Sequence, residues 1–483
     1  MRIKPSYIVL IISTVFMMLI NASCKKTSTL TSGGVLKFSV DTVKFDTVFT
    51  SAGSFTYGFV IYNIQDEAIT ISSVAMANGA TSFFHLNVDG YIANPGRSAA
   101  NLKIAPHDSL YVFATVNIDP NNTTNPFFIT DSLVATLNGK QFYLPFTAYG
   151  QNANYIVGDS LAPGNYNWNS PLPYVVIHTL VVGPRATLNI PADCRVYMHQ
   201  DGEIIVYGTL NVNSPNPTDS VVFQGDRLDR EYFGYQGYPG EWCGIWFLGN
   251  SAGNISHAVL RNCGGGTPYY NYFTQAAAME IDTGAIVRVD HTIIENSISL
   301  GFLSFQGHLI ASDCLVNTTG GQALAITQGG NDTITNCTFA NYGTSLVSHA
   351  NAGTVAILNY FSPDGITFYY GALNAVLQNC IVYGSLDSEI VCDASSNAGA
   401  SLYMNNCLLK MGSVVESFVH LNSCMLTKDP QFNNPANGDF SLGPTSPALD
   451  AGASVPGALM TDLAGKNWYT GTIDSIAIGC YKE

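Results

Sequence analysis

The sequence predicts an all-β protein in two parts, an N-terminal β-sandwich followed by a parallel β-helix. Three observations carry that expectation. Apolar and polar residues alternate along the first part, as strands with one buried face require. Beyond about residue 175 a short motif returns at intervals near 22 residues, and neither part shows helical periodicity. Gly and Pro number 45 and 21 among 483 residues, which suits many short strands joined by turns.

Composition narrows the function classes. Hydrophobic residues make up 47% and charged residues only 11%, the latter against about 25% in an average soluble domain. Such apolar content excludes a disordered chain. Nineteen basic and 34 acidic residues leave a net charge of −15. A general nucleic-acid binder needs clustered cations, which this chain lacks. An acidic polysaccharide would need a local cationic groove or a metal ion to approach it.

At the start, Arg2 and Lys4 precede an apolar run from Tyr7 to Ile20, then Asn21-Ala22-Ser23-Cys24. The run is shorter than the roughly 20 residues of a membrane-spanning helix, and its charged start and small final residues describe a secretory leader. Cys24 directly after Ala-Ser resembles a bacterial lipobox, in which that Cys is acylated and becomes the mature N-terminus. Asn21 departs from the aliphatic residue usual three before the Cys. The resemblance implies a leader over 1–23, lipidation at Cys24, a tether over 24–34 and a membrane partner reached through the lipid. It places the protein in the cell envelope, at the outer membrane, facing periplasm or surface. An ordinary leader with an incidental Cys is the alternative.

Residues 35–150 read as the sandwich. Leu36, Phe38 and Val40 alternate with polar neighbours, as do Phe55, Tyr57, Phe59 and Ile61, and Leu110, Val112, Ala114 and Val116. Asn138-Gly139 between two apolar runs is a hairpin signal, because both residues tolerate positive φ. The order of strands resembles the immunoglobulin-like modules of bacterial surface lipoproteins. His85 and His107 stand alone in turn-rich contexts and read as surface groups, so this part reads as a spacer or packing module.

Residues 151–428 read as the β-helix. Ser256-His-Ala-Val-Leu and Asp290-His-Thr-Ile-Ile align with Ser312-Asp-Cys-Leu-Val, Thr335-Asn-Cys-Thr-Phe, Gln378-Asn-Cys-Ile-Val, Asn405-Asn-Cys-Leu-Leu and Asn422-Ser-Cys-Met-Leu. The small residues stand at 258, 292, 314, 337, 380, 407 and 424, and the 43-residue interval is expected to hide two units. A unit this short cannot bury its own apolar face, whereas stacked copies form a continuous core. The His, Asp, Asn or Ser before each small residue suits a tight turn, and its side chains would form a hydrogen-bonded ladder.

Gly225-Asp-Arg-Leu-Asp-Arg-Glu-Tyr232 with Pro239-Gly-Glu-Trp-Cys-Gly-Ile-Trp-Phe247, and Asp429-Pro-Gln-Phe432 with Ser446-Pro-Ala-Leu-Asp-Ala-Gly452 and Ile478-Gly-Cys-Tyr481, carry a further resemblance. They are similar to the right-handed parallel β-helix proteins of the pectin-lyase-like superfamily, in their Bacteroidota lipoprotein form. That resemblance implies a right-handed helix whose closing segment is 429–483. It leaves activity open, because the superfamily holds lyases, hydrolases and adhesins.

The search for chemistry is less productive. Cys314, Cys337, Cys380, Cys407 and Cys424 share one repeat position, which favours an inward thiol stack over disulfides, since parallel side-chain vectors fit the disulfide twist poorly. No Cys-x₂-Cys or His-x₃-His spacing points to a metal, and no cofactor is expected. The motifs of polygalacturonase-like hydrolases and pectate-lyase-like enzymes are missing, and Asp387, Glu389 and Asp393 read as turn caps. The densest polar patch supplies the candidate ligand-binding residues Asp226, Arg227, Asp229, Arg230, Glu231, Tyr232 and Trp242. They suit a sugar-binding rim, or ion pairs that pin a long loop. Tyr360, Phe361, Phe368, Tyr369 and Tyr370 form a second aromatic insertion, read as packing. The expected function is a membrane-anchored scaffold or glycan-binding β-helix, with a polysaccharide lyase or hydrolase as the alternative.

Overall fold

The computed structural model describes residues 28–228, 237–266, 276–350, 352–412, 416–468 and 476–482. The expected leader, Cys24 and residues 25–27 of the expected tether therefore lie outside the described residues. The chain is all-β and divides into two units, 1–151 and 152–483. Among the described residues no helix is long and apolar enough to cross a membrane.

In the first unit two five-stranded sheets form. One runs Leu36–Phe38, Tyr57–Asn63, Ser109–Val116, Phe84–Val88, Tyr91–Ala93 and is antiparallel throughout. The other orders Val43–Phe49, Lys140–Gln151, Phe127–Leu137, Ile69–Met76, Ala99–Ile104 and is antiparallel except at its first pair. The expected period of two is realised: in Tyr57–Asn63 every second residue is buried. Phe45, Phe59, Phe84 and Phe146 from both sheets share one core, with Phe84 edge-on to Phe146 at 5.3 Å. Asn138 and Gly139 both adopt positive φ and join the paired residues Leu137 and Lys140, the expected hairpin. His107 is exposed beside Asp66 at 2.8 Å.

The second unit holds two large parallel sheets, of eighteen and ten strands, a topology compatible with a parallel β-helix. Each strand pairs with its counterpart one coil on: Ile245 with Met279, Met279 with Phe302, Phe302 with Leu324, Leu324 with Val355. Their inward side chains belong to one apolar cluster that runs from Trp168 to Val419. One expectation fails. The 43-residue interval is a single coil, because Thr338 pairs directly with Ile381 and Thr333 with Val376. Its extra length lies in a loop after Asn341 and in the hairpin Tyr360–Phe361/Tyr369–Tyr370.

The last segment runs along the flank of the long sheet. Trp468, Leu442, Ala448 and Ile478 pack on the outward side chains Ile381 and Leu408, and Leu463 and Cys480 join Leu315 and Ala340. Those outward positions are apolar, unlike the polar face a solvent-exposed sheet would carry, so a covering segment removes them from water.

Candidate functional site

Of the loop residues singled out in the sequence, Asp226, Arg227 and Trp242 are described; Asp229, Arg230, Glu231 and Tyr232 lie outside the described residues. Asp226 accepts a hydrogen bond from His199 Nδ1 at 2.7 Å, and its side chain is buried. That bond holds His199 above the ordinary imidazole range. Arg227 is half-buried. Trp242 corrects the sugar-rim reading: it is 0% exposed, and its Nε1 donates to Arg261 O at 2.9 Å. A stacked sugar needs an open ring face, and Trp242 has none. Its indole turns inward, into the same core cluster as Ile245 and Phe247. The loop is thus pinned at both ends, by Asp226 on His199 and by Glu241 N–H on Asn262 O.

An apolar groove of about 290 Å³ lies elsewhere, on the outer face of the long sheet. Leu303, Ala325 and Ala356 form one in-register row along its floor, and Phe305, Thr327 and Leu358 form the next. Tyr360, Phe361 and Ser362, at the base of the aromatic hairpin, make a wall. Phe361 meets Phe305 edge-on at 5.0 Å. Farther along the hairpin Phe368 stacks on Tyr370 and is 44% exposed. Tyr360 Oη donates to Asp393 Oδ2 at 2.6 Å, which fixes its ring. Gln322, Thr327 and Ser362 supply polar groups, and Thr327 Oγ1 is buried without a hydrogen-bond partner among the described residues. The hairpin, read from sequence as packing, therefore shapes a concave surface. The missed signal was Leu300–Phe305: apolar at both phases and buried throughout, it declares that its outer face is covered.

Beside the groove, Glu280 occupies the row of Leu303 one coil earlier, next to Trp246. It is 2% exposed, and its Oε2 has no hydrogen-bond partner among the described residues. Burial, then the charge of Asp282, pushes its carboxyl up to about 8. Burial likewise raises Asp282.

Of the acidic trio, Glu389 accepts hydrogen bonds from His349 Nε2, Thr354 N–H and Oγ1, and Leu386 N–H. Despite burial these hold its carboxyl below the usual range. Asp393 is engaged by Tyr360. Neither faces a shared ion. His257, Asp290 and His291 do bring ligand-type atoms within 4.8 Å of one another. However, the two imidazoles stack at 4.4 Å with planes 4° apart. Lone pairs lying in parallel planes cannot converge on one ion.

No family model matches this chain, and no curated protein matches it. Solved structures match only in part. One is a family 123 glycoside hydrolase from Clostridium perfringens, described for glycolipid glycan hydrolysis, at 8% identity and TM-score 0.19, with 26% of each chain covered. Another is the Salmonella enterica SafA pilin in complex with the SafB chaperone, at 12% identity and TM-score 0.17, covering 26% of this chain and 58% of that one. The match spans about a quarter of the hydrolase and just over half of the pilin complex chain.

Proposed function

We propose that this chain is a lipid-anchored envelope protein whose right-handed parallel β-helix, of pectin-lyase-like form behind an immunoglobulin-like module, binds a polysaccharide of the cell surface. The observation that carries the binding reading is the groove walled by Tyr360 and Phe361. A sugar ring offers an apolar C–H face and a hydroxyl edge. The groove supplies aromatic and aliphatic walls with a few polar groups, the usual make-up of a small-molecule site. Its uncharged lining suits a neutral glycan better than an acidic one, in line with the net charge of −15.

A glycan-array screen followed by titration calorimetry tests this. Phe361→Ala is expected to weaken binding tenfold or more, about 1.4 kcal/mol. No neutral glycan bound, or equal affinity in the variant, would sink the reading. The anchor has its own test: palmitate label should enter the wild type and not Cys24→Ala.

The second reading, a glycan-cleaving enzyme, is favoured by Glu280 and Asp282. A carboxyl held protonated near neutral pH is the state a general acid needs, and two carboxyl groups flank the bond in glycoside hydrolysis. A reducing-sugar assay on the bound glycan, repeated with Glu280→Gln, decides it. Release abolished by that change would replace binding with cleavage.

A further inference from the structure

Where the C-terminal segment crosses the turn ladder, one imidazole touches acceptors on both sides. His291 Nδ1 lies 3.0 Å from Asp290 Oδ1, and its Nε2 lies 3.0 Å from the carbonyl oxygen of Thr461 and 3.1 Å from Thr461 Oγ1. A carbonyl oxygen only accepts. Asp290 Oδ1 also accepts from Ser256 Oγ at 2.6 Å, so this oxygen serves as an acceptor. Donation by both ring nitrogens serves the Asp290 carboxylate and the Thr461 carbonyl together, and only imidazolium has two N–H groups; a neutral ring would accept from Thr461 Oγ1 at Nε2 and leave that carbonyl without its donor. The ring is buried, so water cannot stand in for a missing partner.

The stacked neighbour is the neutral half of the pair. Ser256 Oγ, its proton committed to Asp290, accepts from His257 Nδ1 at 3.0 Å. Burial and the adjacent His291 charge hold His257 below the ordinary imidazole range. His291 shifts the other way: burial opposes the charge, but the bond to Asp290 and the Thr461 carbonyl outweigh it. The groups facing His291 are thus Asp290 on its own coil, His257 on the coil before, Asp313 on the coil after, and Thr461 on the C-terminal segment. Asp462 follows Thr461 and faces Asp313.

We propose that His291 is a proton-operated clamp, which fastens the C-terminal segment to the flank of the long sheet while both its ring nitrogens carry protons and loosens it when rising pH removes one. Deprotonation at Nε2 takes the ring's donor from the Thr461 carbonyl and leaves only the Thr461 hydroxyl to bond the ring there, a weaker, uncharged contact. The segment it releases carries Trp468, whose Nε1 donates to Asp313 Oδ1 at 3.0 Å, and covers the apolar side chains Ile381 and Leu408. Because the folded value is raised, the clamp is fully formed below about 6.5, the unfolded imidazole value, and is lost as pH rises through the folded value. On the acid side, charging His257 would place two cations face to face, which sets a lower limit.

Hydrogen exchange by mass spectrometry on the whole chain tests this, corrected for the intrinsic pH dependence of exchange. The amides of Leu463 and Trp468, which donate to Cys480 O and Met460 O, report on the segment. Their protection is expected to fall at least tenfold between pH 6 and 8.5, while amides of the inner strands do not change. His291→Asn should be flat across that range, since Asn occupies the same ladder position at 336, 379 and 406 with a similar positive φ. Asp313→Asn should keep the slope. A slope lost in Asp313→Asn and kept in His291→Asn would overturn the proposal, as would a flat wild type. So would alkaline protection restored by one equivalent of zinc in a His257-dependent manner. Should the Asn variant not fold, ¹⁵N shifts of wild-type His291 decide: both ring nitrogens protonated at pH 7 support the clamp, a neutral tautomer refutes it.

Discussion

At His257, His291, Asp313, Asn336, Asn379, Asn406 and Ser423 the backbone passes through the left-handed region, with φ between 45° and 54°. Each stands immediately before the small residue of its repeat, as the choice of residue types suggests. Asn379 shows what such a residue contributes. Its Nδ2 donates to Asn336 Oδ1 at 3.0 Å and to Ala453 O at 2.8 Å, and its Oδ1 accepts from Ala453 N–H at 2.9 Å. Asn379→Ala combines left-handed strain with buried groups left unpaired, an expected loss of about 2–4 kcal/mol by urea unfolding. Asn379→Gly relieves the strain and should cost about 1 kcal/mol less. Equal losses would show that the ladder bonds alone matter. Trp242 gives a second case: removing its fully buried indole should cost about 3–5 kcal/mol and leave glycan affinity intact. A melting curve unchanged within error would contradict its buried position.

The cysteine stack illustrates the element scale. Cys314, Cys337, Cys380 and Cys407 are fully buried, and all ten described cysteines are free thiols. Each stacked thiol leans on the carbonyl two residues before it, as Cys337 does on Thr335 O at 3.2 Å, and Cys314 N–H reaches Cys337 Sγ at 3.4 Å. Burial pushes the Cys337 thiol far up, so it should resist iodoacetamide in the folded protein. Cys337→Asp should cost about 4 kcal/mol or more, whereas Ala costs about 1–2. Ala as damaging as Asp would mean that the sulfur does more than fill space. This inward face was legible because each repeat spells it in one place, a turn residue, a small residue and one or two apolar ones. The outer face was not. Whether a strand is covered outside depends on segments distant in sequence, as with Ile381 and Leu408 beneath Leu442, Ala448, Trp468 and Ile478. Spacing misled for the same reason: pairing of Thr338 with Ile381 is set by the core, so inserted residues leave the stack unaltered and lengthen only the interval. The groove combines both difficulties, since its floor is an outer face and its wall an insertion.

Across the second unit, three buried carboxyl groups share one property. Glu280 is pushed up to about 8, and Asp313 and Asp332 to about 7, in each case first by burial. Each also has one buried oxygen without a hydrogen-bond partner among the described residues, Glu280 Oε2, Asp313 Oδ2 and Asp332 Oδ2, as does the less strongly raised Glu203 at Oε2. The protonated form suits such sites, because a neutral carboxyl loses less on leaving water than an anion does. For a raised carboxyl the stabilising preference is fully present below the unfolded value, near 4, and is lost as pH rises through the folded value. Between those limits the folded state holds the extra proton, and stability falls by up to about 1.4 kcal/mol per pH unit for each group. The His291 clamp acts in the same direction. Glu389, held low by His349 and Thr354, acts in the opposite direction only below its unfolded value near 4.5, outside the interval from pH 5.5 to 8. Within that interval the lowered imidazoles of His257 and His308 oppose only up to about 6.5, so the raised carboxyl groups dominate and the second unit is expected to melt at a higher temperature at pH 5.5 than at pH 8. Calorimetry across that interval checks the slope. Glu280→Gln and Asp332→Asn should each flatten it, and Asp332→Asn can keep the acceptor that serves Ser304 Oγ and Leu309 N–H. A melting temperature that rises toward pH 8 would mean that these carboxyl groups are ionised in the folded protein. Glu280 would then be an anion, which removes the protonated acid on which the cleavage reading depends.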